Sequence, residues 1–154
     1  NPQRDHLRDL TQRMRRFAED LLDARDIEFT FRAPVDEKDI PLGADLRREV
    51  YLIFKECVNN LVKHSDCTRA ELDFRISGQW LVFSMTDNGS GFEPADVSAN
   101  GGMGGHGLAS IQRRAQALGG SLKFDDKGRS VTLRVPLHHR QGWRSWFSNY
   151  PNGR

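Results

Sequence analysis

A two-layer α+β sandwich is the fold class that these 154 residues predict. Helical and alternating apolar periods fall in separate blocks, about three helices and five strands. No strand–helix–strand unit recurs, which argues against a doubly wound fold. Two strand pairs read as tight hairpins, so the sheet is mixed, mainly antiparallel, and covered by helices on one face.

Leu7, Leu10, Met14, Phe17 and Leu21 are spaced three and four apart and are widened by Ala18 and Leu22. They form one helical stripe that fades near Arg25. "IEFTF" (Ile27 to Phe31) alternates and reads as a short strand. Pro34 and Pro41 bracket a loop. A second helix is predicted from Asp45 to His64, with Leu46, Val50, Ile53, Phe54, Cys57 and Leu61 on its buried face. From Arg69 to Ser77 the pattern alternates strictly, so Ala70, Leu72, Phe74 and Ile76 share a face. Gly78 and Gln79 turn the chain, and Trp80 to Thr86 returns as the partner strand. A glycine-rich loop occupies 93–107, and Leu108, Ile111, Ala115 and Leu118 mark a third helix that stops at Gly119 and Gly120. "SLKFD" and "SVTLRV" form a last hairpin around "DKG", closed by Pro136.

Composition bounds the function. Hydrophobic residues make up 37% and charged residues 29%, which predicts a real core under a charged surface. A net charge of +2 is too small for nucleic acid to be the partner on electrostatic grounds. Arg4, Arg8, Arg13, Arg15 and Arg16 cluster, but Asp5, Asp9, Glu19 and Asp20 are interleaved, as on a solvated helix face. Two cysteines, Cys57 and Cys67, give no CxxC pair and no disulfide framework, and a reducing cytosol is the simplest compartment. No apolar run reaches membrane-spanning length and no signal peptide is visible. The abrupt start in a charged helix predicts a piece of a longer protein, in the cytoplasm and without membrane contact of its own. Residues 1–137 are expected to form one domain. The tail 138–154, with Trp143, Trp146, Phe147 and Tyr150, is expected to fold back onto it or to meet a neighbour.

Three stretches could carry chemistry. In "ECVNNLVKH", Glu56, Asn60 and Lys63 fall at i, i+4 and i+7 and are predicted to share one polar face, with Asn59 beside it and His64 at the helix end. A carboxylate, an amide oxygen and a cation so arranged suit a magnesium–phosphate group. Alone, the pattern reads as a solvated face with a Glu–Lys pair. "DNGSGF" follows a strand directly. Asp87 emerges at its end, where a carboxylate can accept from an exocyclic amine, and Gly89 and Gly91 allow the backbone close to a flat ring. In "GGHGLASIQRRAQALGG" glycines run into a helix start, an anion site by its free N–H groups and dipole. No P-loop motif is present.

Asparagine helix, Asp–Gly turn, glycine-rich loop, helix and hairpin, in that order, resemble the ATP-binding domain of sensor histidine kinases. Their superfamily includes gyrase, the heat-shock chaperone ATPases and the mismatch-repair ATPases, and has the Bergerat-type fold. The asparagine box is Glu56, Asn60, Lys63, His64 and Ser65. The first glycine box is Asp87, Gly89 and Gly91. The second is Gly105, Gly107 and Leu108, continued by Arg114, Ala115, Leu118, Gly119 and Gly120. The resemblance spans Leu7 to Leu137. It implies ATP and Mg²⁺ as cofactors, with Asn60 on the metal and Asp87 on the adenine amino group. Gly89 and Gly91 would shape the adenine pocket. Gly105, Gly107 and Leu108 would bound the lid, and Lys63 and His64 would approach the phosphates. Glu56 would be supportive.

The resemblance further implies γ-phosphoryl transfer to a histidine on a separate dimerisation helix domain, then a response regulator as partner. Two departures stand out. Gly128–Arg129 replaces the common Gly–Thr before the last strand. The acceptor box, a histidine followed by an acidic residue, is missing: His6 is followed by Leu7, so these residues alone are expected not to autophosphorylate. His138 and His139 read as a surface pair, because no third metal ligand is evident. The alternatives are an anti-sigma-type serine kinase and a nucleotide-binding interaction module without transfer activity.

Overall fold

The structure, a computed structural model, describes residues 6–33, 40–91 and 103–138. Residues 34–39 of the expected loop, 92–102 of the glycine-rich segment and the aromatic tail from 139 onward lie outside them. The element order is α1 (Leu7–Asp23), β1 (Glu28–Arg32), α2 (Ala44–His64), β2 (Arg69–Ser77), β3 (Trp80–Asp87), α3 (Met103–Ala117), β4 (Ser121–Asp125) and β5 (Ser130–Pro136). The five strands form one sheet in the order β1-β2-β3-β5-β4. Only β1 and β2 run parallel; the other pairs are antiparallel. The predicted mixed two-layer sandwich is therefore the observed one.

Side-chain alternation explains why one face of the sheet takes the helices. Leu72 and Phe74 of β2, Leu81, Phe83 and Met85 of β3, and Val131, Leu133 and Val135 of β5 are all buried. The register places Phe74 beside Phe83 and Phe83 beside Leu133, so these rows share the inner face. Leu7, Leu10, Met14, Ala18 and Leu22 are the buried stripe of α1. Phe17 meets Phe54 of α2 edge-on at 6.2 Å, and Phe54 meets Phe83 at 5.3 Å. An aromatic column thus ties α1 to α2 and α2 to the sheet, each pair adding about 0.5–1.5 kcal/mol beyond its area. His6 stands at the N-cap of α1.

The outer sheet face is polar apart from Trp80, Val82 and Pro136. Val82 is only 4% exposed although it points away from the helices. Its register neighbours are Arg75 and Arg134, whose apolar stems are long enough to cover it. Arg134 also lies over the Trp80 ring at 4.1 Å.

α3 begins at Met103, a turn before the apolar stripe that marks it in the sequence. Gly104, Gly105 and Gly107 therefore belong to its first turns and do not precede it. Leu108, Ile111 and Ala115 seat it in the core, and Arg114 bonds Glu49 of α2 at 2.7 Å. It ends where expected: the Gly119 and Gly120 amides donate to the Gln116 and Ala115 carbonyls.

Candidate functional site

A cleft opens between the C-terminal half of α2 and the ends of β3, β4 and β5. Cys57, Asn60, Met85, Asp87, Phe124 and Gly128 line it, with Leu61 and Val131. Its walls are largely apolar, and its polar side chains are Asn60 and Asp87. Such a lining, apolar with a few convergent polar groups, has the make-up of a small-molecule site.

Asn60 is 3% exposed, and among the described residues its Nδ2 has no hydrogen-bond partner. An unsatisfied buried amide costs about 1–3 kcal/mol. Native folds rarely keep one without a use. The expectation that Glu56, Asn60 and Lys63 share one polar face is corrected here. Asn60 follows Cys57 by three residues and Ile53 by seven, so it continues the apolar stripe inward. Glu56 and His64 are half-buried, Lys63 is exposed, and none of the three lines the cleft.

Asp87 is the last residue of β3, and burial pushes its carboxyl above the usual aspartate range. Two groups oppose that shift: the Gly89 amide, which donates to Oδ1 at 2.7 Å, and the Arg129 guanidinium; Asp126 adds to it. Cys57 is fully buried, and its thiol is pushed up to about 12, chiefly by that burial. It stays a neutral wall group, as its place on the stripe predicts.

The Asp–Gly turn is fastened to the end of α2. Ser65 donates its hydroxyl to the Leu61 carbonyl at 2.6 Å, and its own carbonyl accepts from the Ser90 amide at 3.0 Å. A Cβ on Gly89 would collide with that carbonyl, so only glycine fits. Gly91 has φ +80° and presses on the Lys127 carbonyl, which excludes a side chain twice over. In this structure both glycines admit the protein's own backbone. Asn88 clamps the start of β2: its Oδ1 accepts from the Thr68 and Arg69 amides at 3.0 and 2.9 Å.

Leu108 is buried in the core and lies away from the cleft lining. Gly105 and Gly107 are helical in backbone, and their surroundings lie outside the described residues. Among the described residues no three His, Cys, Asp or Glu side chains could hold a metal ion. A Mg²⁺ at Asn60 would thus need phosphate oxygens and water as its other ligands, which is how Mg²⁺ is commonly bound. The ligand there would be the Asn60 Oδ1; its Nδ2, a donor without a partner among the described residues, would meet a phosphate oxygen and not the metal.

The sequence pattern alone assigns no role to Ser65 or Asn88. Ser65 is fully buried and ties α2 to the Asp87 turn. An asparagine in a turn readily bonds nearby backbone amides, as Asn88 does.

Comparison with known proteins is concordant. Residues 45–139 match the family described as "Histidine kinase-, DNA gyrase B-, and HSP90-like ATPase". Sensor histidine kinase LiaS of Bacillus subtilis is 27% identical over 86% of this chain and 37% of its own. Sensor histidine kinase NarS of Mycobacterium tuberculosis is 31% identical over 64% of this chain and 24% of its own. The chain thus spans little more than a third of these relatives at most. Among solved structures, Acinetobacter baumannii histidine kinase AdeS shares the fold with a TM-score of 0.67, at 18% identity, over 87% of this chain and 66% of that one.

Proposed function

The chain belongs to the histidine kinase-, DNA gyrase B- and HSP90-like ATPase family, and from that premise we propose that it binds ATP with Mg²⁺ and presents the γ-phosphoryl group to a histidine on a dimerisation helix domain. The observation that carries this reading is the pairing of Asn60 and Asp87 in one apolar cleft, with a buried Asn60 amide nitrogen that has no partner among the described residues.

Asp87 accepts from the adenine amino group, and the ring lies against Met85 and Phe124. Asn60 offers its amide oxygen to Mg²⁺, which neutralises phosphate charge when bound. Lys63, exposed on the last turn of α2, and His64 approach the phosphates from outside the cleft, with Glu56 in support. Gly105 and Gly107 bound the phosphate side, where the first turns of a helix favour anions. Positioning and charge neutralisation do most of the work in phosphoryl transfer. The phosphohistidine would then serve a response regulator, in the cytoplasm where ATP is available. Calorimetric titration with ATP and with GTP, each with and without Mg²⁺, tests the reading: Mg²⁺-enhanced binding of ATP over GTP is expected.

A further inference from the structure

Arg129 stands where the family resemblance leads one to expect threonine, and its contacts converge on the Asp87 turn. Its Nε donates to the Gly89 carbonyl at 2.9 Å, and its Nη2 reaches the Ser90 carbonyl at 3.5 Å. Its Nη1 pairs with Asp126 at 3.1 Å. Its backbone carbonyl accepts from the Asp87 amide at 3.0 Å. One residue thus bonds Asp87 through the backbone and holds the next two carbonyls but one through its side chain.

The turn before it is strained. Asp126 and Lys127 have φ of +53° and +56°, left-handed values that cost non-glycine residues about 1–2 kcal/mol each. Gly128 follows at φ +82° and forms part of the cleft wall. Strain of this kind persists where surrounding contacts over-determine it. The Arg129 amide and guanidinium both bond Asp126, so the residue that fastens the Asp87 turn also fastens the strained one.

We propose that Arg129 is a positioning residue for nucleotide recognition: it locks the two turns that carry Asp87 and Gly128 into the cleft wall and holds the Asp87 carboxylate in place to read the base. The proposal rests on Asp87 being the base reader. A simple turn staple would need one of these bonds. A guanidinium shared among Gly89, Ser90 and Asp126 fixes orientation as well, which a planar fork of donors does better than an ammonium.

The charge has a readable consequence. Burial and Asp126 raise the Asp87 pKa, while the Gly89 amide and Arg129 lower it; among the described residues the Cys67 thiol also lies in its field. A protonated Asp87 has lost the charge that favours accepting from the amine, so ATP binding should fall as the pH drops through its pKa. Removing Arg129 moves that acid limb to higher pH. Removing the Asp126 charge moves it to lower pH.

The test is ATP and GTP titration of the whole chain across the acid range, for wild type, Arg129→Met, Arg129→Lys, Asp126→Asn and Asp87→Asn. Arg129→Met is expected to weaken ATP about tenfold, the worth of one good hydrogen bond, and to raise the acid limb. Arg129→Lys should weaken ATP but leave the limb near the wild-type pH, because the charge stays. Asp126→Asn, at an exposed position where asparagine accepts a positive φ, should lower the limb even if Arg129→Met fails to fold. Unchanged affinity in both Arg129 variants, or a limb that moves in neither Arg129→Met nor Asp126→Asn, overturns the role of Arg129 alone. ATP preference surviving in Asp87→Asn overturns the base-reader assignment and this role with it.

Discussion

Asn60, near the end of α2, and Asp87, the last residue of β3, line the same cleft, and the fold keeps both there at a cost. The Asn60 amide nitrogen is buried without a partner among the described residues. The Asp87 carboxyl is raised by desolvation. Neither burden helps the apo fold. Both are offset if a ligand supplies a phosphate oxygen to the Asn60 N–H and an amine to the Asp87 carboxylate.

Asn60→Ala should therefore leave the apo protein folded. It removes an unsatisfied amide, whose penalty of about 1–3 kcal/mol offsets the packing lost. Calorimetry should show the Mg²⁺ enhancement of ATP binding abolished while metal-free binding remains. Equal loss with and without Mg²⁺ would instead point to a disturbed fold.

Asp87→Asn separates stability from function. A carboxyl whose folded pKa is raised binds its proton more tightly in the native state than in the unfolded one. Its contribution to stability is fully present below the unfolded pKa of about 3.9 and is lost as pH rises through the folded value. The apo variant should lose that slope and melt at or above the wild-type temperature at neutral pH. Its ATP affinity should fall by about 1.5–3 kcal/mol, the worth of a hydrogen bond to a charged group. Melts across pH, paired with ATP and GTP titrations, check both halves.

Gly89→Ala should destabilise by about 2–4 kcal/mol, because its Cβ would run into the Ser65 carbonyl and crowd the Asp87 Oδ1. Ser65→Ala keeps that carbonyl and loses the hydroxyl bonds to Leu61 and Cys67. Its cost should be nearer 1–2 kcal/mol, about 1 for each bond lost. Denaturant unfolding ranks the two; the reverse order would show that the close approach is not what demands glycine.

Most of the fold was legible because periods were long and clean. The α1 stripe and the strict alternation in β2 each identify a buried face directly. Asn60 was misplaced because its residue type suggested a polar face. Its spacing from Ile53 and Cys57, read without regard to type, puts it on the apolar stripe. The sequence reads Gly89 and Gly91 as glycines that let the backbone approach a flat ring. What presses on them, the Ser65 and Lys127 carbonyls, comes from other elements and leaves no local trace. The reach of Arg129 to Gly89 depends on β5 lying beside β3, a pairing no single segment encodes.

Autophosphorylation should be absent from these residues alone. None of the histidines is followed by an acidic residue, and His6 is fixed at the N-cap of α1. Phosphoryl transfer needs the acceptor held in line with the γ-phosphate. Incubation with γ-labelled ATP should give no acid-labile, alkali-stable label until a histidine-bearing dimerisation helix is supplied. Strong label on His6 would contradict this, and transfer to serine of an added protein would favour the anti-sigma kinase.

The most direct test of the central claim is a thermal melt of the chain with saturating Mg·ATP, with Asp87→Asn run beside it. Ligand that binds only the folded state adds about 2.7 kcal/mol at a hundredfold excess over its dissociation constant. The pairing of Asn60 and Asp87 predicts a clear upward shift in the wild type, larger with Mg²⁺ than without, and little or none in the variant. No shift in the wild type would contradict it.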